Sequence, residues 1–256
     1  MQKNLIMRTI TLCIFVLFTN LCISQQIITD RPDQTEASST VPKGSLQMEM
    51  GFQVTFSEDF YSFRDIAAPN MLLRYGLTSG IELRAISEVV NSRKTRFGIS
   101  ETISGMADLA LGAKIQLVKT EEKNTEIALL SHVILPSGTN IISDNSYGFE
   151  NRFSISHNLG ENSSVGYNLG YNNPGYGSGS AIYTIALGTA VGKKAGVYIE
   201  PFGEYFLDSE FLEASFDAGF TYLLQDNMQI DFSFGTGLSH SMNYMAVGFS
   251  WNIPAE

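Results

Sequence analysis

Three short stretches place a hydroxyl nucleophile beside a base: Ser131-His132, Ser156-His157 and Ser239-His240-Ser241. A serine whose proton is taken by histidine could hydrolyse an ester. On a β-strand, however, adjacent side chains point to opposite faces, so neighbours in sequence cannot meet. The objection weakens at His240, which falls in an expected loop. No two histidines have metal-ligand spacing. Both cysteines, Cys13 and Cys22, lie in the N-terminal apolar segment. No catalytic residue, metal site or cofactor is therefore assigned. The Gly-rich stretch 172–179 lacks a lysine and a strand-to-helix setting, so it reads as a loop rather than a phosphate cradle.

The second chemical constellation is a set of charges, each on the polar side of an alternating run. The acids are Glu49, Glu82, Asp108, Glu200, Glu204, Asp217 and Asp231; the bases are Arg74, Arg84, Lys114 and Arg152. Such a set can act as a selectivity lining, since rings of charge filter permeants. It can equally be a salt-bridge network that closes a narrow interior. If a pore exists, the acidic excess predicts a mild preference for cations.

Alternation is the signal that must position these groups. Leu46, Met48, Met50, Phe52, Val54 and Phe56 are apolar at every second position, with Gln47, Glu49, Gly51, Gln53 and Thr55 between them. One strand thus has a greasy and a polar face. The same parity recurs from Met71 to Leu77, Ile81 to Ala85, Ala107 to Leu117, Phe153 to Ile155, Val165 to Tyr171, Tyr183 to Val191, Phe216 to Tyr222, Ile230 to Phe234 and Met245 to Ile253. Residues 125–136 and 196–206 are less regular. The pattern predicts an all-β chain of about twelve antiparallel strands with an up-and-down order. Long connections are expected at 58–67, 91–102, 137–148 and 172–180, alternating with short ones. That sorting matches transmembrane barrels, whose turns are short on one side and loops long on the other.

Parity does not say which face is wet. A soluble barrel turns its apolar rows inward and a membrane barrel turns them outward. Three features favour the membrane form. Gly, Ser and Asn crowd the polar face. The chain ends in an aromatic strand with Phe249 and Trp251. Residues 1–24 read as a secretory signal, with Lys3 and Arg8 ahead of an apolar stretch from Ile10 to Ile23, and Ser24 suits cleavage before Gln25. A base facing mid-bilayer lipid costs about 2–4 kcal/mol, and Arg74, Arg84, Lys114 and Arg152 all avoid that face. Removing Lys3 and Arg8 leaves 14 basic against 26 acidic residues, a net charge of −12. So acidic a chain is a poor partner for nucleic acid.

Residues 28–36 read Ile-Thr-Asp30-Arg31-Pro32-Asp33-Gln-Thr35-Glu36, followed by Val41-Pro42-Lys43-Gly44-Ser-Leu-Gln. This resembles the start of a bacterial family of outer-membrane transporters labelled "meta-pathway of phenol degradation". Gly105-Met-Ala-Asp108-Leu-Ala-Leu-Gly112-Ala-Lys114 and Pro136-Ser-Gly138 resemble two further family patterns. The resemblance covers nearly the whole chain after the signal and implies a barrel in the bacterial outer membrane with a transport role. The segments expected are a signal peptide (1–24), a periplasmic N-terminal segment (25–44) and a transmembrane barrel (45–256). Segment 25–44 is either a plug, with Arg31, Asp33 and Glu36 paired to wall charges, or a periplasmic tether. The expected function is passage of small solutes. The alternatives are a non-conducting structural or adhesive barrel and, disfavoured above, a phospholipase-like enzyme. The expected partners are outer-membrane lipid, an unnamed small solute and the barrel assembly machinery.

Overall fold

The computed structural model describes residues 26–120 and 124–255; the segment read as a signal peptide lies outside the described residues. Thirteen strands follow in order: β1 (Leu46–Glu58), β2 (Ser62–Gly76), β3 (Ile81–Arg96), β4 (Ile99–Met106), β5 (Ala110–Thr120), β6 (Thr125–Ile134), β7 (Gly148–Asn158), β8 (Ser163–Asn173), β9 (Ser180–Val191), β10 (Ala195–Phe206), β11 (Phe211–Gln225), β12 (Met228–Gly237) and β13 (Asn243–Ile253). Every ladder is antiparallel. β1 pairs with β13, and β2 with β3, so the sheet closes on itself.

Thirteen strands make twelve staves, because β4 and β5 share one. β3 pairs with β4 over Val89–Arg96 and with β5 over Ile81–Ile86. Residues 107–109 interrupt that stave, and a bond from Ala107 N to Glu88 O (2.9 Å) bridges the gap. β4 is laddered to β3 alone, and at its far edge Thr139 bonds Met106 through N to O (2.9 Å) and accepts from Met106 N (3.0 Å). The other strands are paired on both sides, as a strand-built membrane protein requires because lipid satisfies no backbone group.

Burial is inverted relative to a soluble protein. The largest fully buried side chains include Arg74, Lys114, Gln47, Glu49, Glu82 and Glu200. Phe52, Phe153, Leu169, Val247 and Met245 are among the exposed large apolar residues. The outward rows match the alternation: Met50 faces Phe249 and Phe52 faces Val247 across the β1–β13 ladder. This is a transmembrane barrel with a greasy exterior and a polar lumen.

Both chain ends of the barrel lie at one rim, here called proximal. The proximal connections are short, as with 159–162 between β7 and β8. At the distal rim the expected loops 58–67 and 91–102 are instead mostly strand. β1 and β2 are joined by residues 59–61, and β3 and β4 by 97–98. The ladder continues through polar pairs such as Asp65 with Ser92 and Lys94 with Glu101. Backbone bonds hold a hairpin without an apolar row, so alternation ends where the wall leaves lipid although the strands do not.

Val247 sits in the middle of the outward row of β13. Val247→Lys should lower the unfolding free energy in bilayers by about 2–4 kcal/mol, read by denaturant titration. An unchanged midpoint would show that this row does not face hydrocarbon.

Candidate functional site

The N-terminal segment lies inside the barrel. It enters at the proximal rim, where Ile27 N bonds Asp226 O (2.7 Å), and leaves there, where Gly44 N bonds Gly76 O (2.7 Å). Between these points it bonds side chains of nearly every stave. The partners include Glu49 on β1, Arg74 on β2, Glu82 on β3, Lys114 on β5, Ser156 on β7, Asn168 on β8, Thr184 on β9, Glu200 on β10 and Asp231 on β12. Only a segment within the lumen can reach all of them.

Its charges divide between two walls. On the first wall, Arg74, Arg84 and Lys114 point inward beside Glu49 and Glu82. Asp30 enters the middle of this group. Its carboxylate lies 2.6 Å from Arg84 Nη1, 3.0 Å from Lys114 Nζ and 3.2 Å from Arg74 Nη1. It also accepts from Ala37 N (2.8 Å), which ties the segment to itself. Glu36 adds a contact of 2.7 Å to Arg84 Nη2. Arg74 donates from Nε and Nη2 to both oxygens of Glu82 at 2.8 and 3.0 Å, and from Nη1 to Glu49 at 2.9 Å. Main-chain groups are drawn in as well. Arg74 donates to Ile28 O and Ser39 O, and Glu82 accepts from Val41 N.

The neighbouring wall, from β10 to β12, is acidic, and here the segment presents a base. Arg31 Nη2 lies 3.1 Å from Asp231 Oδ1. Its guanidinium passes over Gly51 and Gly248, which face each other in the β1–β13 ladder. A Cβ at either glycine would stand 2.3 Å from an Arg31 nitrogen. The pair therefore forms a slot in the wall that no larger residue would leave open. Further round, Glu200 accepts from Gln34 N (2.7 Å) and Thr35 Oγ1 (2.5 Å). Asn168 grips the main chain of Glu36 with both ends of its amide. Asp217 is the register partner of Glu200 and accepts from Tyr244 Oη.

The remaining expected wall residues are placed as follows. Arg152 Nε lies 2.8 Å from Glu150 and Nη1 donates to Gln34 O (3.2 Å). Glu204 accepts from Ser180 Oγ. Asp108 stands apart from the others. It sits in the break between β4 and β5, where its carboxylate accepts from Ser137 N, Gly138 N and Ser143 Oγ. It fastens the distal loop, so the Gly105–Lys114 and Pro136–Gly138 patterns are two halves of one clasp. In the N-terminal motif, Pro32 is buried. Pro42 O accepts from Ser45 at the proximal rim, beside Gly44.

Segment residues 33–36 separate two cavities. The proximal one, about 490 Å³, is bordered by Asp33, Thr35 and Glu36 together with Lys119, Ser156 and Tyr198. The distal one, about 310 Å³, is bordered by Gln34, Arg152, Phe202, Glu204, Glu213 and His240.

The serine–histidine neighbours are dispersed. His132 Nε2 accepts from Arg84 Nε in the lumen. His157 bonds Tyr167 Oη, while Ser156 bonds Ser38. Ser239 bonds the main chain of Leu212 and Ala214. Among the described residues, no serine hydroxyl bonds a histidine nitrogen.

Several partners escape a reading of sequence alone. Gln47, Asn168, Thr184 and Gln229 bind the segment but carry no charge to mark them. His132 lies in a run too irregular for parity, and Glu150 precedes the run that starts at Arg152. The Gly51–Gly248 slot had a usable signal: two inward glycines on the first and last strands, which closure must bring side by side.

Solved structures share this architecture at low identity. The KdgM porin superposes with a TM-score of 0.55 at 9% identity, over 79% of this chain and 98% of its own. KdgM in complex with disordered oligogalacturonate gives 0.52 at 12%, over 81% and 98%. The β domain of the Bordetella autotransporter BrkA gives 0.53 at 10%, over 82% and 99%. At such identities the likeness speaks for the fold. No curated protein sequence matches the chain. A family model described as "Putative MetA-pathway of phenol degradation" matches residues 29–253, a stretch that holds both the lumenal segment and the whole barrel, and the chain belongs to that family.

Proposed function

We propose that the protein is a plugged channel of the bacterial outer membrane, passing small solutes when residues 26–44 withdraw from the lumen. The observation that carries this reading is the partition at residues 33–36, with a cavity of about 490 Å³ on one side and about 310 Å³ on the other. The barrel supplies a polar path and the segment blocks it. The proximal rim then faces the periplasm, and the distal loops face the exterior. Lipid surrounds the belt, and barrel assembly machinery inserts the chain. The protein performs no hydrolysis; purified protein with calcium should leave phospholipid intact. The filled lumen also supports a second reading, a barrel that never conducts.

Deleting residues 26–40 should raise single-channel conductance in planar bilayers, because it joins the two cavities. No change on deletion favours the non-conducting barrel. The open lumen keeps more acids than bases, so reversal potentials in a salt gradient should favour cations; anion preference would refute a charge-lined pore.

Docking should also depend on pH. In the docked state burial pushes the Glu36 carboxyl up from 4.5 to about 7, with Arg84 and Lys114 opposing and Asp30 adding to the rise. Asp33 moves the same way, through burial first and then Glu200. Asp30 moves oppositely: burial would raise it, but Arg74, Lys114 and Arg84 hold it well below the usual carboxylate range. A carboxyl raised on docking favours the docked state below its free pKa and loses that favour as pH rises through the docked value. Glu36 therefore loosens the plug as pH climbs from about 4.5 through 7, and Asp33 acts in the same direction. The contribution of Asp30 persists across that window and is lost only in stronger acid. Open events should be more frequent at pH 8 than at pH 5, and Glu36→Gln should flatten the profile. A profile of opposite sign, or one unchanged by Glu36→Gln, would count against this account.

A further inference from the structure

The outward face of the wall carries two bases, and they are neighbours. Cross-strand partners share a face, so the register fixes which way each side chain points. Arg64 pairs with Phe56, which is outward and half exposed, and Arg64 also pairs with Arg93. Both arginines therefore project toward the membrane side. Among the described strand residues, no other Lys or Arg does so.

Their height coincides with the top of the apolar belt. The outward row of β1 runs from Leu46 to Phe56. Ten residue steps of about 3.4 Å, inclined by about 40°, rise about 25 Å, the height of the apolar band of such barrels. Arg64 stands level with the last apolar residue of that row. Below it lies Ile66, the partner of Val54; below Arg93 on β3 come Asn91, the partner of Ile66 and Ser104, and then Val89, the partner of Met106. The two guanidinium groups sit where hydrocarbon gives way to headgroups.

Arginines directly opposite each other repel. The barrel contains a second such pair, Arg74 with Arg84 in the lumen, and there Asp30 and Glu82 lie within 3.2 Å of both. The outer pair has no carboxylate: among the described residues, neither Arg64 nor Arg93 makes an ion pair. The nearest outward acid by register, Glu58, makes none either. Arg93 Nη2 donates to Ser100 Oγ at 3.0 Å, and Asn91 donates to Ser104 Oγ at 2.6 Å, so hydroxyl and amide donors flank the pair. Nearby at the hairpin tips, Lys94 lies 3.9 Å over the Tyr61 ring and Arg96 lies 3.6 Å over the Phe60 ring, again without ion pairs.

We propose that Arg64 and Arg93 clasp the phosphate of a lipid headgroup in the leaflet at the distal rim. Two guanidinium forks present paired donors that match phosphate oxygens, and the anion cancels the repulsion between them. The acyl chains of the same lipid lie along Phe56, Ile66, Val89 and Met106. Neither a free anion nor an acidic protein would need the apolar side chains of Ile66, Val89 and Met106 lower on the same face.

The test uses the full barrel refolded in phosphatidylcholine vesicles, with unfolding followed by heat-modifiable migration on gels. Doping the vesicles with bis-phosphorylated lipid A should raise the unfolding temperature by several degrees, because a ligand of the folded state stabilises it. The R64Q/R93Q double variant should lose most of that rise. R64K/R93K should keep part of it, and Glu58→Gln all of it. Inorganic phosphate at the same total concentration should produce no shift. An equal rise in wild type and R64Q/R93Q overturns the proposal. So does an equal rise with inorganic phosphate, which would mark a free-anion site. If the double variant does not refold, Arg93→Gln alone decides, since its exposed side chain takes no part in the ladder.

Discussion

Charge cannot face hydrocarbon, and that constraint organises the rest of the molecule. A strand has two faces, so a wall that spends one on lipid must turn its polar side chains into a shared lumen. In a barrel of twelve staves these groups are close enough to require partners. Arg74, Arg84 and Lys114 have only Glu49 and Glu82 beside them on the wall, and all five are buried. Three cations against two carboxylates is an uncompensated interior. Asp30 supplies the missing negative charge, in contact with all three cations. The lumenal segment is thus a component of the electrostatic balance of the barrel as well as an obstruction in it.

The segment is complementary to both walls at once. Asp30 and Glu36 go to the basic wall, and Arg31, placed between them in sequence, goes to Asp231 on the acidic one. A uniformly acidic or basic segment would be repelled by one side. Buried ion pairs of this kind contribute little net stability, because desolvation offsets attraction, but removing one partner is costly. Their main effect is to fix position, and they hold the segment at one place in the lumen. The grip is also uneven. The basic wall holds Asp30 by three cations, whereas Asp33 meets the carboxylates of Glu200 and Asp217. The side of the segment near Asp33 is held instead by hydrogen bonds from Gln34 and Thr35 to Glu200.

Much of this was legible in the sequence, because lipid writes parity into strands. The outward rows, the inward placement of Arg74, Arg84, Lys114 and Arg152, and the count of staves all follow from period two. What parity misses is physical in each case. The break at 107–109 lies within the apolar residues Met106, Ala107 and Leu109, so the row continues while the ladder does not. Asp108 keeps the parity of an inward charge, yet its carboxylate turns to Ser137, Gly138 and Ser143. The distal hairpins lie beyond lipid, where a strand no longer needs a greasy face and so looks like loop. The pivotal role of Asp30 depends on three residues that converge from β2, β3 and β5, a convergence that only closure of the barrel creates.

The outward face also measures depth. Along β1 it stays apolar from Leu46 to Phe56, and on β2 and β3 it passes through Ile66 and Val89 to Arg64 and Arg93. The same residue type that the lumen must neutralise with carboxylates is tolerated outside only where hydrocarbon ends. The inner arginines mark where the chain needed its own counter-charge, and it supplied Asp30 to meet them. The outer pair has no such supply from the chain, so its counter-charge must come from the surroundings. At that height the surroundings are headgroups. The two arginine pairs thus pose one electrostatic problem on two sides of one wall, solved inside by the protein's own segment and outside by the membrane.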